Sequence, residues 1–276
     1  MDNSFLSIIH GISQIVSQQS FLIFLFSWGG EVLRWNHVLM LTVCVLIFSA
    51  FYVGLRTLAD KDRSYYEETG QVVWDIETKE KVVALTFDDG PHPEYTAAVL
   101  DILAKYKAKA TFFIIGANAE KYPDVVQRSF KEGHELANHT YTHPYNASVT
   151  ELQDEIQQTN EMIYSITGFL PTLFRPVGGN YNEQMINAVV DDGYKVVMWS
   201  WHLDTQDWKE PGVDKIVNKV LKGTGPGDVI LFHDGGGNRE QTIKALEKIM
   251  HELQKQGYTF VTVSELIEGK PKEVTK

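Results

Sequence analysis

The sequence predicts an α/β domain whose parallel sheet, covered by helices, closes or nearly closes into a TIM-like barrel, with a membrane helix ahead of it. Three observations predict it. From residue 82 onward, short apolar runs of strand length alternate with segments of helical period. Polar residues suited to chemistry follow the ends of those runs, where (β/α) folds carry their active sites. An uncharged stretch of 18 residues, Val38–Leu55, stands before them.

The N-terminal run reads VLMLTVCVLIFSAFYVGL, about the minimum needed to cross a hydrocarbon core roughly 30 Å thick. Arg34 precedes it, and Arg56, Lys61 and Arg63 follow. Phe5–Trp28, which ends in FLIFLFSW, reads as an interfacial or second membrane helix, although Gln14, Gln18 and Gln19 weaken a span there. A cleaved signal peptide is the main rival and fits poorly, because the apolar run starts late and no basic n-region or small-x-small site is present. A buried core helix is the other alternative. Residues 1–56 are therefore assigned as a membrane anchor of one or two helices, 57–75 as a polar linker, 76–270 as the main domain and 271–276 as a tail.

Within the main domain, Val82–Phe87 (VVALTF) ends in the turn DDGPHP and reads as a buried strand. Tyr95–Tyr106 places Ala98, Val99, Ile102, Leu103 and Tyr106 at helical spacing. Ala110–Ile115 is the next strand, and Pro123–Lys131 is a helix ended by Gly133. Thr150–Thr167 is a long amphipathic helix, with Leu152, Ile156, Met162, Ile163 and Ile166 on its apolar side. Lys195–Ser200, Asp228–Phe232 and Thr259–Val263 are further strands, separated by helices at Val213–Leu221 and Glu240–Gln256. No repeat or low-complexity tract is evident.

The formal net charge of −11, without a Lys/Arg-rich run, disfavours nucleic acid as a partner. The one cysteine, Cys44, lies inside the apolar run, so no intramolecular disulfide or cysteine-based metal site is available. Any metal must use His, Asp or Glu. Asp88 and Asp89 follow the first strand; alone, DDGP reads equally as a turn with an Asp capping a backbone amide. His139 and His143 have the i, i+4 spacing that one ion can bridge, although Pro144 favours a tight turn over a helix and two surface histidines would share the spacing. His233 follows the strand DVILF beside Gly235–Gly237 and suits a general acid or a structural histidine. Asp204 and Asp207 read as site residues or as a capping turn, and Arg175 as a site residue or a surface arginine. Their joint placement at strand ends is the stronger signal. One Asp and two His make a hard N/O site for a divalent metal, Zn²⁺ first, and a second Asp and a separate His can serve as base and acid of metal-assisted hydrolysis.

Five segments, in order, resemble the motifs of the polysaccharide deacetylases of carbohydrate esterase family 4, the NodB-homology domain. They are Thr86–Pro91 (TFDDGP), His139–His143 (HTYTH), Phe174–Pro176 (FRP), Asp204–Trp208 (DTQDW) and Leu231–Asp234 (LFHD). The resemblance spans roughly Val82 to Leu266 and implies a distorted, incomplete (β/α) barrel. It implies that Asp89, His139 and His143 bind the metal and that Asp88 is the base, held by Arg175. It further implies that His233 is the acid, tuned by Asp207, and that Trp208 and Leu231 wall an acetyl pocket. The family's third motif usually continues Pro-Pro-Tyr-Gly, whereas here it reads Pro176-Val177-Gly178-Gly179. Gly178 can still offer a backbone N–H to an oxyanion, but the aromatic wall is lost, and Tyr181 is a candidate to replace it. Trp199, Trp201, Trp208 and Tyr145 are further candidates to stack on sugar rings, Trp208 first.

The function implied is metal-dependent removal of N-acetyl groups from an N-acetylated polysaccharide such as peptidoglycan. The anchor adds a cell-membrane location with the catalytic domain outside, against the mild opposite preference of Arg56, Lys61 and Arg63. Two alternatives stay open: an O-acetyl esterase of the xylan type, and an inactive glycan-binding surface protein.

Overall fold

The structure is a computed structural model that describes residues 40, 42–49 and 62–269. The chain divides into two units, Met1–Asp60 and Lys61–Lys276. In the first, residues 42–49 are helical and leave Val45, Leu46, Ile47 and Phe48 exposed. Among the described residues no helix is long and apolar enough to cross a membrane. The remainder of Val38–Leu55, all of Phe5–Trp28 and the tail at 271–276 lie outside the described residues.

In the second unit the elements run in chain order. Helix α1 (Arg63–Glu68) leads to strands β1 (Val72–Val73) and β2 (Val82–Asp88). Helix α2 (Tyr95–Lys105), strand β3 (Thr111–Ile114), helices α3 (Gly116–Lys121) and α4 (Pro123–Lys131) and strand β4 (Glu135–Asn138) follow. Helix α5 (Val149–Thr167) precedes strand β5 (Leu173–Phe174), helix α6 (Glu183–Asp191) and strand β6 (Lys195–Val197). Helix α7 (Val213–Gly223), strand β7 (Val229–His233), helix α8 (Glu240–Lys255), strand β8 (Thr259–Val261) and helix α9 (Val263–Glu268) follow, the last elements among the described residues.

All strand pairs are parallel, in the order β1-β6-β5-β4-β3-β2-β7, with β8 against the first half of β2. The sheet curls into a half-barrel. Between β6 and β7 the ladder is replaced by loop bonds: Ser200 N donates to the Val229 carbonyl at 3.0 Å, and Thr205 Oγ1 donates to that of Leu231 at 2.7 Å. Two apolar layers follow from the two-residue period of the strands. Val83, Leu85 and Phe87 of β2 and Ile230 and Phe232 of β7 pack under the helices, while Ala84, Phe113, Ala137, Val229 and Leu231 fill the concave side.

Local signals set the helix limits. Ser148 and Glu151 form a capping box at the start of α5, and Gly168 ends it at φ 74°. Thr262 and Glu265 form a second box, so the chain turns helical where the sequence suggests that the last strand continues to Val263.

The linker assignment is corrected. From residue 62 the stretch read as 57–75 belongs to the fold: β1 pairs with β6, and Tyr66 and Trp74 are fully buried. Arg63 ion-pairs with Glu67 at 2.6 Å and Asp75 at 2.9 Å and lies over the Trp74 ring, so three of the charges that suggested a solvated linker pair with one another between α1 and the segment after β1. A chain beginning at Lys61 is therefore expected to melt cooperatively. One beginning at Ile76 loses two large buried aromatics, each worth about 3–5 kcal/mol, and is expected to melt at least about 10 °C lower. Equal midpoints in thermal circular dichroism would show that α1 and β1 are dispensable.

Candidate active site

The polar residues converge at the carboxyl ends of the strands. Parallel register sets Asp88, the last residue of β2, beside His233, the last of β7. Arg175 follows β5 and is fully buried. Its Nη1 donates to Asp88 Oδ1 at 2.7 Å and to Thr86 Oγ1 at 2.9 Å, while Nε and Nη2 donate to the carbonyls of Val197 at 3.0 Å and Met198 at 2.6 Å. The guanidinium carbon sits 3.9 Å from the Phe113 ring centre. A buried guanidinium is tolerable only when its donors are matched this fully. The surface-arginine alternative is thereby excluded.

Asp89, His139 and His143 each offer a ligand atom within 4.8 Å of the others, the only such cluster found among the described residues. Asp89 Oδ1 lies 3.1 Å from His143 Nε2 and 3.6 Å from His139 Nε2. His139 Nδ1 lies 2.8 Å from the Arg175 carbonyl, which can only accept, so Nδ1 carries the proton and Nε2 keeps its lone pair toward Asp89. Burial lowers the His139 pKa against the attraction of Asp88 and Asp89, which favours the neutral ligand form. Burial alone would raise the Asp89 pKa, yet the His143 hydrogen bond and the charges of His139, His233 and His143 hold it far below the usual carboxylate range. Two imidazoles and one carboxylate with open positions suit a catalytic divalent ion.

The backbone of this cluster is strained. Asp89, Thr140 and His143 have φ of 71°, 69° and 63°, the left-handed region that costs a non-glycine residue roughly 1–2 kcal/mol. The loop after β4 is held by bonds that the sequence did not announce. The Glu155 carboxylate accepts from Tyr141 N at 2.7 Å and from Thr142 N at 2.6 Å, and Asn138 Oδ1 accepts from Thr140 N at 2.9 Å. Glu155 acts across 13 and 14 residues from within α5, so no short spacing marks it. The loop is not helical, as Pro144 implies.

Gly235 and Gly236 pack directly on Asp89. A Cβ at Gly235 would lie 2.1 Å from the Asp89 carbonyl oxygen, and one at Gly236, which has φ +71°, 2.5 Å from Asp89 Oδ2. Buried Arg239 holds the loop there by donating to the carbonyls of Gly235 at 2.7 Å, Gly236 at 3.0 Å and Asn238 at 3.2 Å. Gly236→Ala should therefore displace the Asp89 carboxylate and weaken divalent-ion affinity about tenfold or more, since a tenfold change in an equilibrium constant takes only about 1.4 kcal/mol. Chelator competition against the purified variant measures this, and unchanged affinity would show that the loop yields without moving Asp89. Asp234, which the sequence left unassigned, backs the same turn. It is buried, accepts from Thr96 Oγ1 at 2.5 Å, and is raised to about 7 by burial and by the charges of Asp89 and Asp88.

On the other side, buried Asp207 holds His233 twice. Oδ1 lies 2.7 Å from His233 Nδ1, and Oδ2 accepts from the His233 amide at 2.9 Å and from Thr242 Oγ1 at 2.8 Å. Burial would lower the His233 pKa, but the Asp207 hydrogen bond and the charges of Asp207, Asp88 and Asp89 outweigh it and raise it to about 9. Burial likewise acts to raise Asp207, and the His233 contacts override it and lower that pKa. Asp204 stays outside this pair, its Oδ1 capping Gln206 N at 3.0 Å.

Leu231 is buried two residues before His233, and Trp208 is half exposed beside Asp207. Gly178 lies against Tyr145, whose ring packs edge-on against that of His143 at 5.4 Å. Tyr181 is a correction to the sequence reading. Its ring packs edge-on against Tyr66 at 5.9 Å and Trp74 at 6.1 Å, in the apolar cluster that holds both. Its own position in the chain, next to α6, draws it into that cluster once β1 is part of the sheet.

The polysaccharide deacetylase family matches residues 75–197. A peptidoglycan-N-acetylglucosamine deacetylase of Bacillus cereus is 48% identical over 210 residues, 75% of this chain and 98% of that protein. The crystal structure of a peptidoglycan N-acetylglucosamine deacetylase in complex with 4-naphthalen-1-yl-N-oxidanyl-benzamide is similar at TM-score 0.72 and 36% identity, covering 77% of this chain and 99% of that one. A CE4-family pseudoenzyme from Bacillus anthracis is similar at TM-score 0.67 and 30% identity, covering 73% of this chain and 70% of that one. With these likenesses and with Asp88, Asp89, His139, His143 and Arg175 all inside the matched span, the chain belongs to the polysaccharide deacetylase family.

Proposed function

We propose that this chain is a metal-dependent hydrolase that removes N-acetyl groups from the N-acetylglucosamine residues of peptidoglycan. The observation that carries the reading is the cluster of Asp89, His139 and His143 set between two buried polar pairs, Asp88–Arg175 and Asp207–His233. Asp89, His139 and His143 would hold a divalent ion, Zn²⁺ first, and that ion would supply Lewis acidity, which can bring the pKa of water toward about 7.

The protein's own groups divide the proton work. Asp88 Oδ1 is committed to Arg175, while Oδ2 lies 3.8 Å from His139 Nε2, on the cluster side. That free oxygen takes the proton of the attacking water. The N–H of Gly178 is assigned to the oxyanion. His233, kept protonated by Asp207, donates from Nε2 to the departing amine, because an amide does not readily expel an unprotonated amine. Trp208 and Leu231 are assigned to the acetyl pocket.

The uncharged run Val38–Leu55 is assigned as the membrane anchor, with the catalytic domain outside the cell, where a wall polymer is accessible. Protease added to intact, wall-stripped cells should cut the domain away; protection until the membrane is broken would overturn both the location and the wall substrate.

Acetate release from an N-acetylglucosamine oligomer tests the activity. Release should stop with chelator and return with Zn²⁺ or another divalent ion. Full activity under complete chelation would refute the metal. Turnover of acetylated xylan without turnover of the oligomer would favour the O-acetyl esterase. Absence of release from every glycan with every ion would place the chain with the pseudoenzyme it resembles.

A further inference from the structure

We propose that Tyr145 is the specificity-determining aromatic of this site, stacking on the apolar face of the sugar ring that carries the acetyl group. Three observations lead there. First, Tyr145 is 65% exposed although it sits in the loop that carries two of the three cluster residues, so a large ring is left in water at the site's edge. Second, its covered side touches the site itself, since the ring packs edge-on at 5.4 Å against His143. Third, it borders a floor without side chains. A Cβ on Gly178 would lie 3.4 Å from Tyr145 Cε1, and one on Gly179 would lie 2.6 Å from the Trp199 ring, on which exposed Trp201 leans edge-on at 5.4 Å. Gly178 and Gly179 have φ of 61° and 70°, a conformation that excludes most side chains from this floor.

The result is a strip of bare backbone, backed at Gly179 by buried Trp199 and bordered at Gly178 by Tyr145, whose ring touches His143. A pyranose ring has a face of C–H groups that matches an aromatic ring, and its polar edges stay in water. A sugar laid on Tyr145 presents its substituent within one ring's width of the metal-ligand cluster. A flat, half-exposed aromatic gives contact area at low conformational cost, as binding surfaces require. Residue 178 has no side chain to serve as a wall, and the Tyr145 ring lies at contact distance from where a Cβ at that position would stand.

This inference rests on the reading of the site as a sugar deacetylase, and the test separates the two. Full-length wild type, Tyr145→Ala and Tyr145→Phe are loaded with Zn²⁺, and KM and kcat are measured on N-acetylglucosamine oligomers, with bound metal quantified. Tyr145→Ala should raise KM about tenfold, the scale of one lost ring contact, with metal content retained and the larger part of the loss in KM. Tyr145→Phe should restore KM to within about twofold, because the ring and not the hydroxyl makes the contact. An unchanged KM in Tyr145→Ala overturns the inference. So does loss of metal, which would make Tyr145 a support for His143, and so does a Phe variant as deficient as Ala. If the wild type itself releases no acetate, the deacetylase reading fails first and the inference falls with it.

Discussion

Asp88→Asn is expected to retain a full equivalent of divalent ion and to lose roughly a thousandfold in kcat, within the about 10²–10⁴ that a positioned base contributes. Asp89→Asn and His139→Ala are expected to lose ion and activity together. The contrast follows from adjacent residues facing different partners. Asp88 Oδ1 is held by Arg175 at 2.7 Å, whereas Asp89 Oδ1 lies 3.1 Å from His143 Nε2 and 3.6 Å from His139 Nε2. Asn at 88 keeps the carbonyl that Arg175 needs but cannot take a proton. It also leaves a buried guanidinium without its anion, and breaking a buried pair costs about 3–5 kcal/mol. Metal content, single-turnover rate and thermal midpoint are therefore measured on the same sample at a temperature where the variant is folded. Equal metal loss in Asp88→Asn and Asp89→Asn would show that base and ligand are misassigned. A full equivalent bound to the His139→Ala, His143→Ala double variant would remove the cluster from consideration altogether.

The fold was legible where a residue's partners are near in sequence or its period is long. Helix α4 starts and ends where Pro123 and Gly133 indicate, and α5 lies within one residue of its apolar stripe. Strands β4 and β5 were not legible. β4 reads ELAN because its ends serve side-chain bonding: Glu135 accepts from Thr111 Oγ1 at 2.8 Å, and Asn138 Nδ2 donates to the Ile156 carbonyl at 2.8 Å. β5 is only Leu173–Phe174, too short for any period. β1 was hidden by the charges around it, whose pairing with one another only the folded chain reveals.

The site divides along the same line. Residues at strand ends announce themselves, because a polar residue directly after an apolar run has few structural reasons to be there. Asp88 and His233 were found in this way, and both have buried polar partners; Arg175 follows a strand too short to read, and its role came from the resemblance. Residues that work through distant partners did not announce themselves. Glu155, Arg239 and Asp234 are ordinary helix or loop residues in sequence, and each becomes specific only when the fold brings it against the His139–His143 loop or the Asp89 turn. The choice of Tyr181 as a wall failed for the same reason, since nearness to Gly178 in sequence does not fix where a ring packs.

Asp207→Asn is expected to leave metal binding intact, to lower activity at neutral pH by about ten- to a hundredfold, and to move the alkaline limb of the pH–rate profile toward acid. The sign follows from the role. His233 must be protonated to donate, so activity that depends on it is present below its pKa and is lost as pH rises through that value. In the intact protein the Asp207 contacts, with Asp88 and Asp89, overcome burial and raise that pKa to about 9. A bound divalent cation disfavours a second positive charge nearby, so in the loaded enzyme the limb lies at or below that value. Replacing Asp207 removes the anion at 2.7 Å and leaves burial unopposed by its nearest partner, so the limb should fall toward or below the ordinary histidine value of about 6.5. The amide can still hold the ring, because its oxygen accepts from Nδ1–H, and that geometry separates tuning from positioning. A variant that loses activity equally at every pH would make Asp207 an orienting residue only. A limb that stays in place would show that His233 does not supply the proton, and the acid would then have to be sought in another group at the mouth of the site.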